Sequence, residues 1–350
     1  MLLAIVGCAQ EKVYKKEKKL MGTTAEITLY SDSPRFGEAG KNEKAVEETF
    51  KAMEEIEKLA SEYRKDSQLN KVNRYAGVKK VKVDQRLYEM IEKSVYYSKL
   101  SDGAFDITVG PLIQLWRIKE KMQKTNPSLP TEKEIKQRLK LVSYKEISLN
   151  PKEKSVYLKK KGMRLGLGAV AKGYAVDKAV ESLKVKGVKT ALVRLGGEIQ
   201  VLGEKKKPWS PLRTSSSESH RRGGRPADEA WRIGIQHPRE KDKLLGVVEL
   251  KDGEATSTSG DYEQYFVKNN VRYHHILNPK TGKPAWECQA VTIVATKGID
   301  ADILSTTAFV LGPDKGMELI EKLPDIKGLI VKSNGEIIFS SLMKEKFKTN

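Results

Sequence analysis

The chain has 350 residues, 39% of them hydrophobic, and a formal charge of +19. That length and apolar content supply an ordinary core and exclude disorder throughout. The lysines sit among acids, as in KEKKL and KDKLL, with no aromatic-interleaved basic stripe, so the charge reads as a solvated surface with weak anion steering, not a nucleic-acid site.

The N-terminal run MLLAIVGC ends in a small residue before Cys8 and is followed by polar, basic residues. This layout matches a bacterial lipoprotein signal end, with Cys8 acylated and residues 1–19 forming signal end and polar linker. Expected next are a strand over 25–30 (AEITLY) and a helix over 43–62, where Val46, Phe50, Met53, Ile56 and Leu59 repeat at helical spacing. A second helix is expected over 86–98, a hairpin-like stretch over 149–165, a helix over 170–185 and a strand over 190–195. Residues 205–230, rich in Ser, Arg, Gly and Pro with no apolar period, read as a basic mobile insertion. Strands are expected over 231–235, 246–250 and 290–295, helices over 300–311 and 315–323, and a closing strand pair over 328–332 and 336–339. Mixed elements without strict alternation point to α+β, with mixed or antiparallel sheets and packed helices over 20–345. No later apolar run approaches the roughly 18 residues of a spanning helix.

Residues 166–177, GLGAVAKGYAVD, fit G-x-G-x-x-A, a dinucleotide fingerprint that is weak alone. The preceding SVYLKKKGMRL is too polar for a buried parallel strand. A turn of small residues opening a helix still suits an anion or a backbone-held cation, with Lys172 one turn along, or serves packing only. Asp302 and Thr306 lie four apart, on one helical face with Ser305 beside them, hard oxygens suited to Mg²⁺ or to a surface cap. Asp106 follows Phe105 in an apolar setting and needs partners, either backbone amides or a ligand edge. His274 and His275 precede the turn signals Asn278-Pro279 and Thr281-Gly282, and a histidine at a strand end suits a general base or a hydrogen-bonded structural role equally.

In order along the chain, LMGTTAEI, SEYRKDSQLNKVNR, SDGAFDITVGPLIQLW, LGAVAKGYAVD, VRLGGEIQVLG, WRIGIQHPR, TSGDYEQYF, HHILNPKTGKP and ADILSTTAFVLGP together resemble the ApbE family of FAD:protein FMN transferases. The resemblance implies an ApbE-like fold and Mg²⁺ held by Asp302, Thr306 and main-chain oxygens near Ala169 and Ser305. It implies FAD contacts from Met21, Tyr63, Ala104, Phe105, Asp106, Gly166, Lys172 and Ile276, and a catalytic role for His275. It also implies FMN transfer to a Thr or Ser hydroxyl of an acceptor redox subunit, with AMP released, in the cell envelope. Two departures stand out: family members often carry an acid at the position of Gly166, and residues 203–231 are longer than the usual connection. The residues alone leave open an FAD diphosphatase and a non-catalytic FAD-binding lipoprotein. A nicotinamide oxidoreductase ranks last.

Overall fold

A computed structural model describes residues 12–31, 38–205 and 230–349. Cys8 and nearly all of the basic insertion lie outside them. The frame is an eight-stranded sheet made of β1 (Lys12–Leu20), β2 (Thr23–Ser31), β3 (Ala191–Leu195), β4 (Glu198–Leu202), β5 (Ala255–Gly260), β6 (Cys288–Ala295), β7 (Lys327–Lys332) and β8 (Ile337–Phe339). Strand order in the sheet is strand order in the chain, and every neighbouring pair is antiparallel. The architecture is α+β, as expected.

Side-chain alternation sorts the sheet residues between two cores. On β6, Val291 and Ile293 join the large core under the helices, while Ala290 and Val294 join a second core on the opposite face. Helices α1 (Glu38–Ala60), α2 (Gln85–Leu100), α3 (Ala171–Val185), α4 (Gly298–Leu311) and α5 (Pro313–Lys322) cover the first face. On α1 the expected repeat Val46, Phe50, Met53, Ile56 and Leu59 is wholly buried there. The second face is closed by the strands Trp231–Gln236 and Leu244–Leu250, whose Trp231, Ile233, Val248 and Leu250 are buried. A third cluster joins Trp116 and Ile135 to Phe266 and Leu277, anchoring the Tyr265–Lys268/Val271–His274 hairpin to the short helices around residues 110–139.

One expectation changes. Residues 12–19, expected as linker, form an edge strand in continuous register with β2 from Lys12↔Ser31 to Leu20↔Thr23. A lysine-rich strand reads as linker because it buries little, yet exposed lysines are what protects an edge from pairing further. As the polarity of SVYLKKKGMRL implied, the G-x-G-x-x-A turn does not follow a parallel strand: Ser155–Leu158 belongs to a small sheet in which both its pairings are antiparallel, so a Rossmann unit is absent there.

Candidate active site

Helices α3 and α4 cross at glycines. A Cβ on Gly173 would lie 2.2 Å from the Gly298 carbonyl oxygen, and one on Gly298 would lie 2.5 Å from the Gly173 carbonyl oxygen, so only glycine permits this approach. The crossing brings Asp302 Oδ2 to 2.9 Å from the Gly173 amide, which donates to it. Asp177, one turn along α3, caps the start of α4 by accepting from the Gly298 and Ile299 amides at 2.7 and 3.0 Å.

Strand alternation places Glu198 on the same face of β4 as Leu202, toward the helices, and Ser257 and Ser259 likewise on β5. The side chains converge. Lys172 Nζ pairs with Glu198 Oε1. The Ser257 hydroxyl lies 3.4 Å from both Glu198 Oε1 and Ser305 Oγ. Ser259 Oγ lies 2.9 Å from Ser305 Oγ and 3.0 Å from Thr306 Oγ1. Asp302, Ser305, Thr306 and Lys172 are therefore gathered in one polar cluster between the sheet and the α3/α4 crossing.

Burial, and then the nearby charge of Glu198, push the Asp302 carboxyl up to about 7, against the opposing pull of Lys172. Burial alone would lower the Lys172 ammonium, but Glu198 and Asp302 outweigh it and hold the pKa above its ordinary value. His275, at the end of the hairpin, donates its backbone N–H to the Gln264 carbonyl. Burial, His274 and the positive Lys172 depress its ring to about 4, so it is neutral at pH 7.

The residues expected to contact FAD lie on several separate elements. The Gly166 amide donates to the Ile107 carbonyl at 2.8 Å, which joins the segment after Ala104, Phe105 and Asp106 to the glycine turn. Asp106 is buried, and its carboxylate accepts from the Thr108 amide and hydroxyl and the Tyr144 amide, so amides supply most of the partners its sequence setting demanded. Met21 turns the β1–β2 hairpin at φ +50° and donates its amide to Glu57. Tyr63 is 79% exposed, an unusual setting for a large aromatic ring, with Lys119 Nζ 5.1 Å above its centroid. Ile276 is buried beside His275, and Ala169 lies in the turn that opens α3.

At Gly166, where the family resemblance implies an acid, the space is not vacant. A Cβ there would lie 3.1 Å from Glu62 Oε1, and that oxygen accepts from the Leu167 amide at 3.1 Å. A carboxylate from a different segment thus occupies the neighbourhood.

The residues that sequence reasoning passed over are Glu198, Ser257 and Ser259. Glu198 carried a signal: an acid among the apolar residues of RLGGEIQVL, on the parity that faces the core. It is 2% exposed, and its Oε2 has no hydrogen-bond partner. The cluster suits Mg²⁺ because its donors are hard oxygens and because the carboxyls of Glu198 and Asp302, with Glu263 also near, outnumber the one ammonium of Lys172. No cluster of three His, Cys, Asp or Glu side chains gathers among the described residues, so hydroxyl, main-chain and ligand oxygens would complete an ion's shell.

The comparisons with known proteins agree with one another. The ApbE family model matches residues 21–330. An FAD:protein FMN transferase of Klebsiella pneumoniae is 32% identical over 341 residues, covering 97% of this chain and 95% of that protein. One from Treponema pallidum is 32% identical over 332 residues, 93% of this chain and 86% of that one. Among solved structures, the ApbE protein of Thermotoga maritima superposes with a TM-score of 0.80 at 31% identity, covering 96% of this chain and all of that one. The apo flavinyl transferase ApbE of Pseudomonas stutzeri gives 0.78 at 29% identity and covers both chains fully.

Proposed function

The chain belongs to the ApbE family, and from that membership we propose that it transfers FMN from FAD to an acceptor protein. The observation that carries the chemistry is the polar cluster of Asp302, Ser305, Thr306 and Lys172, with His275 neutral nearby. Asp302 and Thr306, with main-chain oxygens near Ala169 and Ser305, would hold Mg²⁺. When bound, that ion neutralises charge on the diphosphate of FAD.

The other steps belong to the chain. Lys172 presents a charged ammonium to the phosphates, and its pairing with Glu198 fixes its position. Met21, Tyr63, the 104–106 segment, Gly166 and Ile276 orient the flavin dinucleotide. His275 accepts the proton of an acceptor Thr or Ser hydroxyl. The hydroxyl oxygen forms a bond to the FMN phosphorus, the diphosphate P–O bond breaks, and AMP leaves with that bond's electrons. Cys8, read as an acylated anchor, would hold the enzyme at the membrane facing periplasm or exterior, where redox subunits are met. Loss of membrane-fraction recovery in Cys8→Ser tests that part.

The direct test is mass spectrometry of an acceptor domain incubated with this protein, FAD and Mg²⁺, with AMP assayed in parallel. The expected outcome is a mass gain of one FMN moiety on Thr or Ser, lost in Asp302→Ala. His275→Asn is expected to lower the rate about a hundredfold while FAD binding is kept. AMP release with no labelling of any acceptor would favour a diphosphatase instead.

A further inference from the structure

Resting on the magnesium reading above, we propose that Glu198 is an additional member of the metal site: its Oε2 accepts a hydrogen bond from a water in the ion's shell. Glu198 Oε2 is an orphan. A carboxylate oxygen on a side chain 2% exposed, with no hydrogen-bond partner, carries a desolvation cost that a folded protein seldom leaves uncompensated.

The other oxygen of the same carboxylate is fully engaged, by Lys172 and by the Ser257 hydroxyl at 3.4 Å. Glu198 is therefore held in place, and Oε2 cannot turn away to find solvent. From Ser257 the hydroxyls run on through Ser305 and Ser259 to Thr306, so Glu198 shares one continuous polar surface with the expected ligands. Magnesium usually keeps several waters, and those waters are donors, which a buried carboxylate oxygen without a partner is built to accept. Glu198 sits on β4 and Asp302 on α4, so the ion's shell would be gripped from the sheet side as well as from the helix.

The test uses Mn²⁺ as a spectroscopic stand-in, its binding to the full chain read by electron paramagnetic resonance without flavin or turnover. Glu198→Gln keeps the side-chain volume and is expected to weaken Mn²⁺ binding by about tenfold or more, the usual effect of losing an outer-sphere partner. Because that change also frees the charge of Lys172, the double variant Lys172→Met/Glu198→Gln, which restores the pocket's net charge, is measured beside it. Weak binding in both variants supports the proposal. Recovery of wild-type affinity in the double variant would assign the effect to charge alone and overturn it, as would unchanged affinity in Glu198→Gln. Asp302→Ala separates the two levels: wild-type Mn²⁺ affinity there would remove the metal site itself, and with it this role for Glu198.

Discussion

Two clusters of buried carboxylate and lysine sit on this sheet, and they are built to opposite specifications. Glu254, just before β5, is saturated: Oε1 pairs with Lys327 at 3.0 Å, while Oε2 takes Lys346 at 2.5 Å and the Lys251 amide at 2.7 Å. Burial pushes its carboxyl up, but the Lys251 amide and the two ammoniums outweigh it and hold the pKa below the ordinary range. In the α3/α4 cluster the ratio is reversed, with Glu198, Asp302 and the nearby Glu263 outnumbering Lys172, one oxygen orphaned and Asp302 pushed up to about 7. A satisfied cluster ties segments together. An unsatisfied one waits for something to bind, and local stability is what it gives up.

The sharpest way to break that contrast is to remove one acid from each. Asp302→Ala is expected to cut FMN transfer about a thousandfold, the loss of several kcal/mol of charge stabilisation. Its folding stability should stay within about 1 kcal/mol of wild type in urea titrations, because a poorly compensated charge goes with it. Glu254→Gln should do the reverse, costing about 3 kcal/mol of stability by leaving buried ammoniums without their charge partner, with transfer kept. Glu254 also predicts a direction with pH. A carboxyl held low in the folded state contributes stability above its unfolded pKa, and that contribution is lost as pH falls through the folded value.

Asp177 predicts the opposite sign and a smaller effect. Burial pushes its carboxyl to about 6 from 3.8, against the pull of the Ile299 and Gly298 amides. A carboxyl raised in the folded state binds its proton more tightly there, so stability falls as pH rises from about 4 to 6 and is level beyond. Denaturant titrations across that window should show wild type losing stability relative to Asp177→Asn, by about 3 kcal/mol at most. An equal slope in the two proteins would remove Asp177 as the cause.

Much of this was legible in the sequence, for identifiable reasons. The apolar repeat of α1 lies wholly in the core, and the two-residue period of 231–235 is the burial pattern found there. Asp302 and Thr306 share a helical face because four residues make about one turn. Two kinds of residue were not legible. The strand β1 has no apolar face to announce it, since its register comes from β2. Glu198, Ser257 and Ser259 acquire meaning only when nonlocal pairing sets β4 beside β5, with Ala255 opposite Gln200. The neighbours of an acid in a strand are chosen by the sheet.

The carboxylate of Glu62 over Gly166 has a consequence for how this sequence can vary. With a glycine at 166 the acid at 62 has room, and with a side chain at 166 its first carbon would already lie 3.1 Å from Glu62 Oε1. An aspartate introduced at 166 alone would set two carboxylates against each other, and a small residue introduced at 62 alone would leave the neighbourhood with neither. Exchange between the two arrangements is therefore a compound substitution. Of sequences descended from either, those carrying half of it should be the scarce ones.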